Sequence, residues 1–112
     1  MNIQIFGRSK CFETKKAERY FKERKIKFQY IDLDLKGLSK GELSSIKKNI
    51  SINEMINDKS KDYKVLNLDK IRSIEVKEEI ILKNPKILKA PIVRNKNLAT
   101  IGYKKEVWDS WE

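Results

Sequence analysis

Two short apolar alternations, one on each side of a single amphipathic stretch, constrain this chain more than anything else in it. Ile3-Gln4-Ile5-Phe6 alternates like a strand, with Ile3 and Ile5 on one face. From about Phe12 to Arg24 the pattern turns helical. Phe12, Ala17, Tyr20 and Phe21 form the expected apolar face, and lysine, glutamate and arginine fill the rest. Ile26-Lys27-Phe28-Gln29-Tyr30-Ile31 then alternates again. Strand, helix and strand within about 30 residues make a βαβ unit, so the two strands are expected to be parallel.

The remaining pattern places helices in the middle and strands near the end. Gly37 interrupts the chain. Ser39-Lys40-Gly41-Glu42 and Ser51-Ile52-Asn53-Glu54 both have capping-box spacing. They predict one helix toward Asn49 and a short one through Ile56. Ser60 to Asn67 reads as another short helix. Ser73 opens a longer one, to about Lys83, with Val76, Ile80 and Ile81 inward. Asn84-Pro85 ends it, because a residue before proline avoids helical geometry. Pro91-Ile92-Val93-Arg94 and Leu98-Ala99-Thr100-Ile101-Gly102 flank Asn95-Lys96-Asn97, which predicts an antiparallel hairpin. Lys104 to Trp111 closes the chain as a helix, with Val107, Trp108 and Trp111 as its apolar side.

These elements fit one α/β domain over residues 1–112, with a helical insertion at about 38–84, a length that supports a single core. One cysteine excludes an internal disulfide and fits a reducing cytoplasm. No run approaches the roughly 20 apolar residues of a membrane span, and no secretory leader is visible. With no histidine, Ser-His and Cys-His pairs are absent and a zinc site of the usual kind is not expected. The net charge of +10 suits an anionic substrate or an acidic protein surface. Lysines spread along the chain read more simply as a solvated surface, so nucleic-acid readout is not expected.

Cys11 lies where a strand, the turn Gly7-Arg8-Ser9-Lys10 and a helix meet. A sulfur at a helix N-terminus faces N–H groups and the positive end of the macrodipole, both of which favour thiolate. Taken locally, Cys11 reads equally as a reactive thiol or a buried filler. Arg8 and Lys10 could supply cations beside it or be ordinary loop charge. Lys15 and Lys16 read as helix surface. Thr14, in a Cys-x-x-Thr pattern, could donate to the sulfur or cap the helix.

The order βαβ, helices, then ββα with a proline opening the third strand is that of a thioredoxin-like fold with a mixed four-stranded sheet. Within it, Cys11-Phe12-Glu13-Thr14, Asn84-Pro85-Lys86-Ile87-Leu88, Ala90-Pro91-Ile92-Val93 and Ile101-Gly102-Tyr103 resemble the arsenate reductase (ArsC)/Spx family. The resemblance implies that Pro91 is a cis-proline packed beside the cysteine loop, whereas the residues alone also permit a trans proline opening an edge strand. It implies a cytoplasmic thiol oxidoreductase with Cys11 as nucleophile. No cofactor is bound, glutathione or a similar thiol is the co-substrate, and glutaredoxin is the recycling partner.

Three arginines bind the oxyanion in arsenate-reducing members, and their positions correspond to Lys59, Ala90 and Gly102 here. Lys59 keeps a charge without the bidentate fork, and the other two keep nothing. Arg94 has the strand parity of Ala90 but lies about 13 Å along, so it is expected to face another site. The second implied role is that of the Spx-like regulators, which bind the RNA polymerase alpha subunit through its C-terminal domain. Cys11-x-x-Thr14 excludes their internal disulfide switch.

Overall fold

The computed structural model describes residues 1–111. β1 (Ile3–Gly7), α1 (Phe12–Glu23) and β2 (Phe28–Asp32) form the first unit. Four helices follow: α2 (Lys40–Ile46), α3 (Ile52–Met55), α4 (Lys61–Val65) and α5 (Ile74–Lys83). A 3-10 turn at Pro85–Ile87 leads into β3 (Ile92–Asn95), β4 (Leu98–Ile101) and α6 (Lys105–Asp109). The sheet order is β2-β1-β3-β4, with β1 parallel to β2 and antiparallel to β3, and β3 antiparallel to β4. The mixed thioredoxin-like sheet is therefore present.

Side-chain alternation sorts the core onto the two faces of the sheet. Ile3, Ile5 and Val93 meet Ala17, Tyr20 and Phe21 of α1 and Trp108 of α6 on one face. Phe6, Ile31 and Ile92 meet the inserted helices on the other, where Leu43, Ile46, Met55 and Ile81 are buried. Phe12 departs from expectation, at 71% exposed. It lies five residues before Ala17, about 140° around the helix from it at 100° per residue, so it cannot share that face. Val76 precedes buried Ile81 by the same interval and is exposed for the same reason.

β2 starts two residues later than the alternation suggests, because α1 uses that stretch to end. Lys25 takes a left-handed φ of 57°, its N–H bonds the Lys22 carbonyl, and the Ile26 N–H bonds that of Phe21. This is a Schellman cap built without glycine. Asn67 closes α4 in the same way, with its own bond to Lys64 and Leu68 bonded to Tyr63. Ser39 makes a complete capping box with Glu42. At Ser51 the hydroxyl accepts the Glu54 N–H, but the Glu54 carboxylate returns to the hydroxyl instead of the backbone. The hairpin turn is two residues, Lys96 and Asn97, because Asn95 still pairs with Leu98.

The closing helix is tied to α1 by a short hydrogen bond from the Tyr20 hydroxyl to Asp109. This bond, and then that from Lys105, hold the Asp109 carboxyl below its ordinary value of 3.8. A depressed folded value stabilises the fold above the unfolded pKa, and the gain is lost as pH falls through 3.8 and then the folded value. Asp109→Asn is therefore expected to lower stability at neutral pH and to flatten the acid limb below about pH 4. Urea midpoints measured from pH 7 to pH 2 check this, and parallel curves would show that the bond contributes nothing.

Candidate active site

The site lies where the C-terminal ends of β1 and β2 meet the start of α1. Cys11 is the N-cap of α1, with φ −88° and ψ 118°, and its side chain caps nothing. The Cys11 N–H closes the turn onto the Arg8 carbonyl at 3.1 Å, and the Cys11 carbonyl accepts from Lys15 at 3.3 Å. The first N–H groups of α1 are thus left without a capping side chain beside a half-exposed sulfur. The thiol lies 3.7 Å from the Ala90 carbonyl oxygen, to which it donates. The Ala90–Pro91 peptide is cis, as the resemblance implied. Pro91 is buried, and its carbonyl accepts the Gly102 N–H at 2.8 Å, fixing the end of β4 alongside.

Arg8 is spent on construction. Its Nε donates to Asp34 at 3.2 Å, Nη1 to the Leu88 carbonyl at 2.9 Å and Nη2 to the Pro85 carbonyl at 2.8 Å. It therefore straps the cysteine turn to the loop after β2 and to the segment that leads into Pro91. Thr14 is fully buried, and its hydroxyl accepts the Arg8 N–H at 3.4 Å; no bond joins it to Cys11. Lys10 is exposed in the turn. Lys59 is exposed in the turn between α3 and α4, which hangs on the Pro91 segment through Asn57 N–H to Ile87 O at 2.8 Å and Lys89 N–H to Met55 O at 2.8 Å. Neither ammonium forms an ion pair with a described residue. The structure thus gathers Cys11, Arg8, Thr14 and Pro91, and leaves Lys10 and Lys59 at the periphery.

Gly7 makes this arrangement possible. A Cβ there would lie 2.3 Å from the Thr14 methyl and 2.7 Å from its hydroxyl, so no other residue lets α1 approach so closely. Gly7→Ala should cost about 2 kcal/mol through overpacking. Thr14→Ala in the same chain should recover part of that loss, since it removes both atoms in conflict. Denaturant titration of the two single variants and the double variant measures the coupling, and strict additivity would refute the contact.

Several contacts around the site were not read from the sequence. Gly102 has φ +81°, and a Cβ on it would lie 3.1 Å from the Glu13 carboxylate. Lys16 lies over the Phe12 and Tyr103 rings, at 4.9 and 5.7 Å from their centroids. Burial, followed by the charges of Asp32, Glu18, Asp34 and Cys11, pushes the Tyr30 phenol above its ordinary 10.0. The position of Tyr30 opposite Ile5 in the β1–β2 register was the available signal.

The ArsC family model matches residues 6–111. The chain belongs to the ArsC family. Among relatives, the global transcriptional regulator Spx 2 of Oceanobacillus iheyensis is 29% identical, over 95% of this chain and 80% of that protein. The global transcriptional regulator Spx of Listeria innocua is 25% identical, over 93% and 82%. Among solved structures, the arsenate reductase of Vibrio cholerae superposes with a TM-score of 0.83 at 24% identity, covering 96% of this chain and 94% of its own. NrdH-redoxin of Escherichia coli superposes with a TM-score of 0.51 at 15% identity, over 100% and 96%. At these identities the structural likenesses establish the ArsC-type thioredoxin-like fold. No helix among the described residues is long and apolar enough to cross a membrane.

Proposed function

We propose that this ArsC-family chain is a thiol oxidoreductase in which Cys11 exchanges with disulfides and mixed disulfides. The observation that carries the reading is the half-exposed Cys11 sulfur at an uncapped helix N-terminus, 3.7 Å from the carbonyl preceding a cis-proline. The Cys11 thiolate attacks one sulfur of a mixed disulfide. A new S–S bond joins Cys11 to that sulfur, the old S–S bond breaks, and the other sulfur leaves as thiolate and takes a proton. With no second cysteine in the chain, a glutathione-like thiol from solution attacks the adduct and restores Cys11, leaving as a new disulfide. Each cycle consumes one external thiol, releases one thiol from the mixed disulfide and leaves one new disulfide in solution.

Arsenate as substrate is disfavoured by more than missing arginines. At Gly102 the left-handed backbone resists a side chain, and the Glu13 carboxylate occupies the space one would enter. Ala90 presents only its carbonyl, and the Arg8 donors go to Asp34 and two backbone oxygens. The test is turnover of a glutathione mixed disulfide with glutathione alone, beside turnover of arsenate with glutathione and glutaredoxin supplied. Disulfide turnover without arsenate turnover supports the reading. Arsenate turnover, or neither, refutes it.

The sequence relatives favour a second reading, a Spx-like regulator that binds the C-terminal domain of the RNA polymerase alpha subunit. Co-elution with that domain at micromolar concentration, undiminished by Cys11→Ser, would favour it over the enzymatic one.

A further inference from the structure

At the end of the sheet away from Cys11, three polar residues form a row across adjacent strands. Gln29 of β2 is in register with Gln4 of β1, and Gln4 with Arg94 of β3. The row is hydrogen-bonded along its length. Gln4 Nε2 donates to Gln29 at 3.0 Å, and Arg94 Nη1 donates to Gln4 Oε1 at 2.5 Å. Arg94 Nε donates to the Ser45 hydroxyl at 3.1 Å and to the Lys96 carbonyl at 3.0 Å. The row lines an open groove of about 800 Å3, with Lys27 and Lys96 on its walls and Phe28 beside them.

The charge balance here differs from that at Arg8. Arg8 is held by a carboxylate, Asp34. Arg94, also half-buried, is held by an amide, a hydroxyl and a carbonyl, all neutral. Among the described residues it makes no ion pair, and its Nη2 has no hydrogen-bond partner. Among the described residues, no acidic side chain lines the groove. Glu42 stands behind Gln4, with one oxygen accepting from Gln4 at 3.3 Å and the other from the Ser39 N–H at 2.9 Å. A partly desolvated cation fixed in place by neutral groups, with N–H groups to spare, is arranged for an anion from outside. Lys27 and Lys96 raise the local potential in the same sense.

We propose that this groove is a second binding site, for a small organic phosphate, with Arg94 as the residue that holds the phosphoryl group. The volume is that of a small-molecule site, which generally spans about 300–1,000 Å3. Three cations are too few to retain a nucleic-acid strand at physiological salt, where tight binding draws on about six or more phosphate contacts. Phe28 offers apolar surface, and Gln29 and Asn97 offer amides, to the organic part. The site is independent of Cys11, since the length of β1 separates them.

The test is an amide-resonance titration of the full chain with adenosine 5′-monophosphate, inorganic phosphate and a twelve-base single-stranded oligonucleotide as probes. Saturable shifts confined to residues 2–4, 27–29 and 94–97 are expected from the first two, with the nucleotide the tighter. Arg94→Gln should weaken the nucleotide about tenfold or more. Because Arg94 also braces Ser45 and Gln4, the exposed pair Lys27→Gln and Lys96→Gln provides a second measure. It should weaken binding severalfold and leave the melting temperature unchanged. The proposal is overturned by shifts spread over the lysine surface, by no shift at about 10 mM probe, by binding indifferent to both sets of variants, or by the oligonucleotide binding more tightly than the nucleotide.

Discussion

Cys11→Ser is expected to reduce mixed-disulfide turnover by a factor on the order of 10³ or more while leaving the fold slightly more stable. The loss follows from the chemistry of the nucleophile. A serine hydroxyl is scarcely ionised near neutral pH, and an alkoxide does not enter thiol–disulfide exchange. No other cysteine can take over, and no histidine is present to activate a hydroxyl. The stability gain follows from position. Cys11 caps α1 without a side-chain hydrogen bond. Serine is among the best N-cap residues, and its hydroxyl would accept one of the open N–H groups, contributing about 0.5–1 kcal/mol. Activity and stability thus move in opposite directions, which separates loss of a nucleophile from loss of structure. The measurement is turnover together with the urea midpoint. Retained turnover would remove Cys11 from the mechanism.

The parts of the molecule legible in the sequence were those governed by local periodicity and local capping. Ile3, Ile5 and Phe6 declared a strand with two buried faces, and the serines at 39, 51, 60 and 73 each begin a helix by accepting an N–H from its first turn. Phe12 failed because its apolar character was counted without its angle. It points away from the face that Ala17 and Phe21 define. The start of β2 failed because a Schellman cap with lysine at the left-handed position carries no glycine to announce it.

At the site, the strand-to-helix placement of Cys11 was visible, because it depends on a strand, a turn and a helix adjacent in sequence. The role of Arg8 was not, because its three partners lie 26, 77 and 80 residues away. Nor was that of Thr14, whose setting depends on how closely α1 approaches Gly7. The separation of Arg94 from the cysteine site was readable from strand parity and rise. Its engagement with Gln4 and Ser45 was not, since it arises only once β1, β3 and α2 are assembled.

Trp108→Ala is expected to be the most destabilising single change outside the site, at about 3–5 kcal/mol. α6 is five residues long, and Trp108 is its one buried residue. The indole is 1% exposed and makes tilted or edge contacts with Tyr20, Phe21 and Tyr103 at 5.1, 5.2 and 5.3 Å. Its N–H donates to the Thr100 hydroxyl at 2.8 Å. Removing it empties the junction between α1, β4 and α6, and leaves α6 held by Asp109 to Tyr20 and Arg24 and by the partly buried Trp111 that follows it. Surface ion pairs contribute little, and these remaining ties are too weak to keep a short helix docked. Trp108→Phe, which keeps most of the ring and loses the donor, should cost nearer 1 kcal/mol. The effect should reach the site as well. Tyr103 loses the ring it packs against, and Tyr103 in turn carries Lys16 and follows Gly102, where Glu13 closes on the end of β4. Turnover measured well below the melting temperature should therefore fall in Trp108→Ala and be nearly unchanged in Trp108→Phe. Equal stability of the two variants would show that the indole is not what docks α6, and that the Tyr103 segment is positioned by β4 alone.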